Sequence, residues 1–139
     1  MISVAVFTYR RIDRLTQCLI SIQSRSVNEI LLFNDDETCD LDIYQLNISD
    51  NLKNIITIYN PSDFGFTGRS FRKPIYLNKA VEMAKSNSIL FSDDDGVFTI
   101  DSVDAHVTAL NDYKFCAGSI IRDRFLQRKS KSILQGTNY

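Results

Sequence analysis

Two short apolar runs, Ile30-Leu31-Leu32-Phe33 and Ile89-Leu90-Phe91, each end within two residues in a group of carboxylates, Asp35-Asp36-Glu37 and Asp93-Asp94-Asp95. Large apolar residues without polar alternation read as strands covered on both faces, and such strands belong to mostly parallel sheets with helices packed on either side. The polar residues must leave the core where the strand stops, so the acids emerge at a sheet edge. Three adjacent carboxylates repel one another. A hard divalent ion, Mg2+ or Mn2+, would relieve that repulsion by taking oxygen ligands and would keep positions open for a phosphate. A solvated acidic turn accounts for the same residues without a ligand.

The remaining chain supplies the partners of those strands. Ile2 to Thr8, rich in Val, Ile and Phe, is a first strand ending at Tyr9. Ile12, Leu15, Leu19 and Ile22 place one apolar stripe on a helix from about Asp13 to Arg25, and Cys18 falls on it as a small buried hydrophobe. Glu29 to Asn34 is the second strand. Asp40 to Lys53 is loop with a helical turn around Ile43 and Leu46, and Asn54 to Tyr59 is the third strand. Asn60 to Gly68, holding two of the five glycines, predicts a long mobile loop, followed by a basic cluster, Arg69, Arg72 and Lys73. Pro74 suits the first turn of a helix with stripe Leu77, Ala80, Val81 and Ala84, which leads into the acidic strand. Thr99 or Asp101 caps a further helix with Ile100, Val103, Val107 and Leu110 on one face. His106, the only histidine, lies beside that face as a packing residue, and Lys114 to Ile121 is expected to be a fifth strand.

Composition narrows the function. The chain has 139 residues, 44% of them apolar, which is one domain with one sizeable core. Sixteen basic against 17 acidic residues give a net charge of -1, so no footprint for nucleic acid is present and any charged site is local. Cys18, Cys39 and Cys116 are odd in number and far apart, which indicates neither a disulfide framework nor a zinc site and suits reduced, cytoplasmic thiols. No apolar segment approaches 18 residues, so membrane contact is at most peripheral. Arg122 to Tyr139 carries five basic residues against Asp123, as a solvated, flexible end or as a strip facing phosphate or membrane.

The order strand, helix, strand, loop, strand, helix, strand, helix, strand gives an α/β fold with a mostly parallel sheet and helices on both faces. Ligands of such sheets sit beyond the carboxyl ends of the strands, so one crevice is expected to gather Thr8-Tyr9-Arg10, both acidic groups and the basic cluster. With that arrangement the chain resembles the family 2 glycosyltransferases of the GT-A type. Val4 to Leu15 is similar to the family's opening strand, Thr-Tyr-Asn-Arg turn and helix, with Arg10 in place of the Asn. Glu29 to Thr38 resembles its second strand and Asp-Asp-Gly-Ser segment, with Glu37 in place of the Gly. Leu77 to Ala84 resembles its Asn-containing helix, and Asp93-Asp94-Asp95 its Asp-x-Asp motif.

The resemblance implies a nucleotide-diphosphate sugar as donor, a UDP-sugar favoured, with Mn2+ or Mg2+ as cofactor. Thr8, Tyr9 and Arg10 would lie against the base, with Asp35 as acceptor for a base N–H and Asp36 close by; Asn78 would support the pocket. Asp93 would contact the ribose or the metal, Asp94 would line the donor site, and Asp95 would ligate the metal. Arg72 and Lys73 are candidates to add positive charge, or are part of a solvated loop. No acid after Asp95 is assigned as catalytic base. The acceptor-binding half is short or missing, so the chain is either a donor-binding fragment or a protein completed by homo-oligomerisation. A non-catalytic nucleotide-sugar binder fits the same residues. So does a phosphorylation-dependent receiver module, in which Ile30 to Glu37 would be the first strand and acidic pair.

Overall fold

A computed structural model describes residues 1–118. Its centre is a four-stranded, all-parallel sheet of β1 (Ile2–Thr8), β2 (Val27–Asn34), β3 (Ile56–Tyr59) and β4 (Ile89–Asp93), in the order β3-β2-β1-β4. Four helices accompany it, α1 (Ile12–Ser21), α2 (Asp50–Lys53), α3 (Lys73–Met83) and α4 (Ser102–Ala109). The chain builds β1, β2 and β3 outward in one direction and then returns to place β4 on the other side of β1. The carboxyl ends of β1 and β4 therefore flank the point where strand order reverses, which is where open α/β sheets bind ligands. This order also removes the receiver-module reading: β1 stands between β2 and β4, where such a module needs the strand here called β2 beside its acceptor strand.

The period of two along the central strands sorts the two faces. Val4, Val6, Ile30 and Leu32 pack with Leu15, Cys18, Leu19 and Ile22 of the α1 segment and with Val103 of α4. Ala5, Phe7, Leu31 and Phe33 pack with Tyr76 and Ala80 of α3. On the α3 face one aromatic ring from each strand forms a cross-strand file, Phe91, Phe7, Phe33 and Tyr59, with successive centroids 6.4, 5.6 and 5.2 Å apart. Tyr76 closes over Phe33 at 5.2 Å, so α3 is seated by aromatic area rather than by a stripe of aliphatics.

Several sequence expectations need correction. The α1 helix stops at Ser21 because the next residues turn to place the Ser24 and Ser26 hydroxyls on Asp104 Oδ1, at 2.6 and 2.5 Å, which ties α1 to α4. The stripe of α3 is Tyr76 and Ala80, with Leu77 and Met83 partly buried, while Val81 is exposed. Asn60 to Gly68 is not a long structureless loop. Pro61–Phe64 is a helical turn in which Asn60 N–H donates to Asp63 Oδ2 at 2.7 Å, and Gly65 leaves it at φ 68°, a left-handed conformation suited to glycine. Phe64 and Phe66 from this segment then pack on Tyr76. Ile100 precedes α4 and is exposed, and neither Thr99 nor Asp101 makes a side-chain cap. Residues 114–118 form no strand, and the rest of the expected fifth strand and the basic end from Arg122 lie outside the described residues. Among the described residues no helix is long and apolar enough to cross a membrane.

Candidate active site at the carboxyl edge of the sheet

Every strand carries its polar residues out at the same edge, and Thr8 joins them. Its carbonyl accepts from the Asp35 N–H at 2.9 Å, extending the β1–β2 ladder, and its hydroxyl donates to Asp94 Oδ2 at 2.7 Å. Asp94 N–H donates to Phe7 O at 3.1 Å, extending the ladder on the other side. The early Thr-Tyr turn and the two acidic groups thus meet at one place although Thr8 and Asp94 are 86 positions apart in sequence.

Asp35, Asp36, Asp93, Asp94 and Asp95 are each met by a basic side chain. Asp94 is fully buried and takes Arg11 Nη2 at 2.5 Å on its other oxygen, while the Tyr9 N–H approaches at 3.4 Å. Arg11 Nη1 reaches Asp95 Oδ2 at 3.4 Å. Asp36 receives a bidentate fork from Arg10, Nε to Oδ2 at 2.8 Å and Nη2 to Oδ1 at 3.1 Å, and also the Thr38 N–H and hydroxyl. The Arg10 fork, assisted by Thr38, holds the Asp36 carboxyl well below the usual carboxylate range despite its burial. Arg10 itself sits at φ 60° and lays its guanidinium 4.8 Å from the Tyr9 ring centre, so the turn is fixed from both sides. Arg72 is buried, pairs with Asp35 Oδ1 at 3.1 Å, donates to the Gly68 and Ser70 carbonyls, and lies over Phe66. Lys73, at the first position of α3, pairs with Asp93 Oδ1.

The sequence-nominated residues divide accordingly. Thr8, Tyr9, Arg10, Asp35, Asp36, Arg72, Asp93, Asp94 and Asp95 come together at the carboxyl edge. Asn78 does not join them: two positions from both Tyr76 and Ala80, it occupies the outer face of α3 and is exposed. Asp94 turns inward and serves Thr8 and Arg11, while Asp93 and Asp95 on either side of it remain about half exposed, 54% and 49% at the side chain. Arg11 is a member that sequence reasoning missed. Its signal was its place in the turn after β1, where it stands at the Arg of the Thr-Tyr-Asn-Arg pattern.

The donor set bears on an implied metal. Among the described residues no group of three or more His, Cys, Asp or Glu could enclose an ion. Two accessible carboxylates on hard oxygen chemistry nevertheless fit Mg2+ or Mn2+, which take one or two protein carboxylates and complete their shell from substrate phosphate and water. Asp93 and Asp95 are those two; Asp94, with both oxygens engaged inside the protein, is not a ligand in this arrangement. A shallow cavity of about 600 Å³ lies elsewhere, along the outer edge of β3, between Leu41, Tyr44, Lys53, Ile56, Asn60 and Asp63. It includes none of the strand-end acids of β2 and β4.

Comparison with known proteins agrees with this architecture. No curated protein matches the chain. The family profile described as glycosyl transferase family 2 matches residues 3–135, which takes in β1 from Ser3, the other three strands and every acid at the carboxyl edge. A parallel sheet with β1 and β4 side by side, opening onto two acidic strand ends, covered almost wholly by that profile, means that the chain belongs to glycosyl transferase family 2.

Proposed function

We propose that the carboxyl edge between β1 and β4 is the donor site of a glycosyltransferase that takes a nucleotide-diphosphate sugar, a UDP-sugar favoured, and passes the sugar to an acceptor with inversion at the anomeric carbon. The observation that supports it most is the double engagement of Thr8, which ties the base-side acid Asp35 and the buried Asp94 to one turn. In this reading Tyr9 and Arg10 form the wall against the base, and Asp35 accepts a base N–H. Asp36 keeps Arg10 in place, and Asp94 keeps Thr8 and Arg11 in place. Arg72 fixes the orientation of Asp35 and the path of the segment from Gly68.

Asp93 and Asp95 would hold Mn2+ or Mg2+, which when bound stabilises the charge that develops on the diphosphate leaving group. The protein's own contribution is to fix these groups before the donor arrives, because interactions that need no reorganisation act most strongly on the transition state. Inversion requires the acceptor oxygen to approach from the face opposite the diphosphate, with a base to take its proton; no residue at this edge is assigned that role.

Calorimetric titration of UDP, GDP and TDP sugars, with and without Mn2+, tests the proposal. Saturable binding of one nucleotide class, tightened by Mn2+ and lost to metal in Asp95→Ala, supports it. Metal-dependent binding that Asp95→Ala leaves intact would remove the metal assignment. Binding without any transfer or donor hydrolysis would support a non-catalytic donor-binding module instead.

A further inference from the structure

Lys73 differs from the arginine beside it. Arg72 is buried, and its guanidinium is committed to Asp35, to two backbone carbonyls and to the Phe66 ring. Lys73 is partly exposed, its ammonium pairs with Asp93, and it lies 5.6 Å from the Phe7 ring centre. It therefore stands beside the end of β4, on the α3 side of the point where strand order reverses. Arg11 stands on the α1 side, with one nitrogen anchored on buried Asp94 and the other on Asp95. Both carboxylates assigned to the metal are thus occupied by cations of the protein, and only Lys73 can leave without uncovering a buried charge.

We infer that Lys73 is a diphosphate-binding residue that works by exchanging partners. Without nucleotide its ammonium occupies Asp93 and opposes a divalent ion there. When a nucleotide diphosphate enters, the ammonium moves to a phosphate oxygen, and Asp93 becomes available to the metal. The inference rests on the donor-site reading above. Its physical terms are ordinary ones. A lysine ammonium carries three donors on a flexible stem and binds phosphate as a point charge. An exposed lysine–aspartate pair contributes little, so giving it up costs little. A divalent ion and an ammonium repel at the same carboxylate. Arg11 stays on buried Asp94 as a positive edge, and its longer 3.4 Å contact with Asp95 is the one it yields to the metal. Nucleotide and metal then raise each other's affinity by a common factor, as linkage requires, and part of that factor belongs to Lys73.

The test compares the parent with Lys73→Met, Lys73→Gln and Lys73→Arg, each checked for folding by circular dichroism. Mn2+ binding is read from the paramagnetic resonance signal of free Mn2+, with and without UDP, and UDP binding by calorimetry, with and without Mn2+. Lys73→Met and Lys73→Gln should bind Mn2+ alone about three- to tenfold more tightly, the scale of an exposed ion pair and a relieved like-charge repulsion. They should bind metal-free UDP about tenfold more weakly, the scale of one charge-assisted hydrogen bond. Lys73→Arg should restore UDP binding. A purely structural role for Lys73 would weaken both ligands together. Unchanged or weaker Mn2+ binding in the neutral variants, in a protein whose parent binds UDP with Mn2+ through Asp95, overturns the exchange and leaves the donor site standing. A parent that binds no nucleotide overturns the donor-site reading and the exchange with it.

Discussion

Replacing Asp94 by Asn keeps the side chain's shape and removes its charge, which isolates what the carboxylate does at the centre of the edge. The group is fully buried and accepts from Thr8 Oγ1 at 2.7 Å and Arg11 Nη2 at 2.5 Å. Hydrogen bonds to a charged group contribute about 1.5–3 kcal/mol each. The Arg11 side chain is 44% exposed, so water recovers much of its guanidinium, and its share falls to about 1 kcal/mol. Thr8 still finds an amide oxygen, at the lower strength of a neutral bond. The expected loss is therefore about 2–3 kcal/mol, a large part of the 5–15 kcal/mol typical of a domain but compatible with folding. In urea, with a slope of about 1.5 kcal/mol/M for a chain of this size, the midpoint should fall by about 1.5 M with the slope unchanged. Thr8→Val should cost about 1–2 kcal/mol, and the double variant should fall short of the sum by about 1 kcal/mol, since both act on one bond. A loss under about 0.5 kcal/mol for Asp94→Asn, or strict additivity, would refute the claim that Asp94 is the internal support of the turn.

Other consequences concern the groups around it. The Arg10 fork holds Asp36 below its unfolded value of about 3.9, so the stability this acid contributes is complete above that value and is lost as pH falls through it toward the folded one. Urea midpoints of the parent and Arg10→Met measured from pH 6 to pH 3 should converge as pH falls, and a constant gap would contradict the pairing. Arg72→Met should cost about 3 kcal/mol by leaving Asp35 and two carbonyls unmatched, with Lys a poor substitute for the planar fork. The same variant should open the segment around Phe66 and Phe71 to chymotrypsin, and an unchanged cleavage rate would count against the role given to Arg72. Burial pushes the Cys18 thiol up to about 11, so at pH 8 a disulfide reagent should label exposed Cys39 at once and Cys18 only at the rate of global unfolding. Mass spectrometry locating early label on Cys18 would show the α1 face to be open.

What could be read from the sequence was what periodicity and strand-end chemistry control. The two apolar runs ending in acids gave parallel strands with their carboxylates at one edge, and the expected stripe held for Leu15, Cys18 and Leu19 of α1 and for Ile22 just after it, while Ile12 is exposed. Details set by side-chain competition were not legible. Tyr76 seats α3 through a ring file assembled from four strands, and no pattern within the helix itself reveals those partners. The early end of α1 depends on Asp104, some eighty positions away. The internal arrangement of Asp93, Asp94 and Asp95 was hidden for a related reason. Adjacent strand-end residues face opposite ways, so the middle acid is drawn inward to Thr8 and Arg11 while its neighbours stay accessible, and only the register of β1 against β4 decides which.

Amide hydrogen exchange with UDP and Mn2+ present tests most directly whether this edge is where the donor sits. Protection should concentrate in residues 8–11, 34–38 and 93–96 and leave the β3-edge cavity around Leu41, Tyr44 and Lys53 at its ligand-free rates. Protection confined to that cavity, with the three strand ends unchanged at saturating nucleotide, would contradict it.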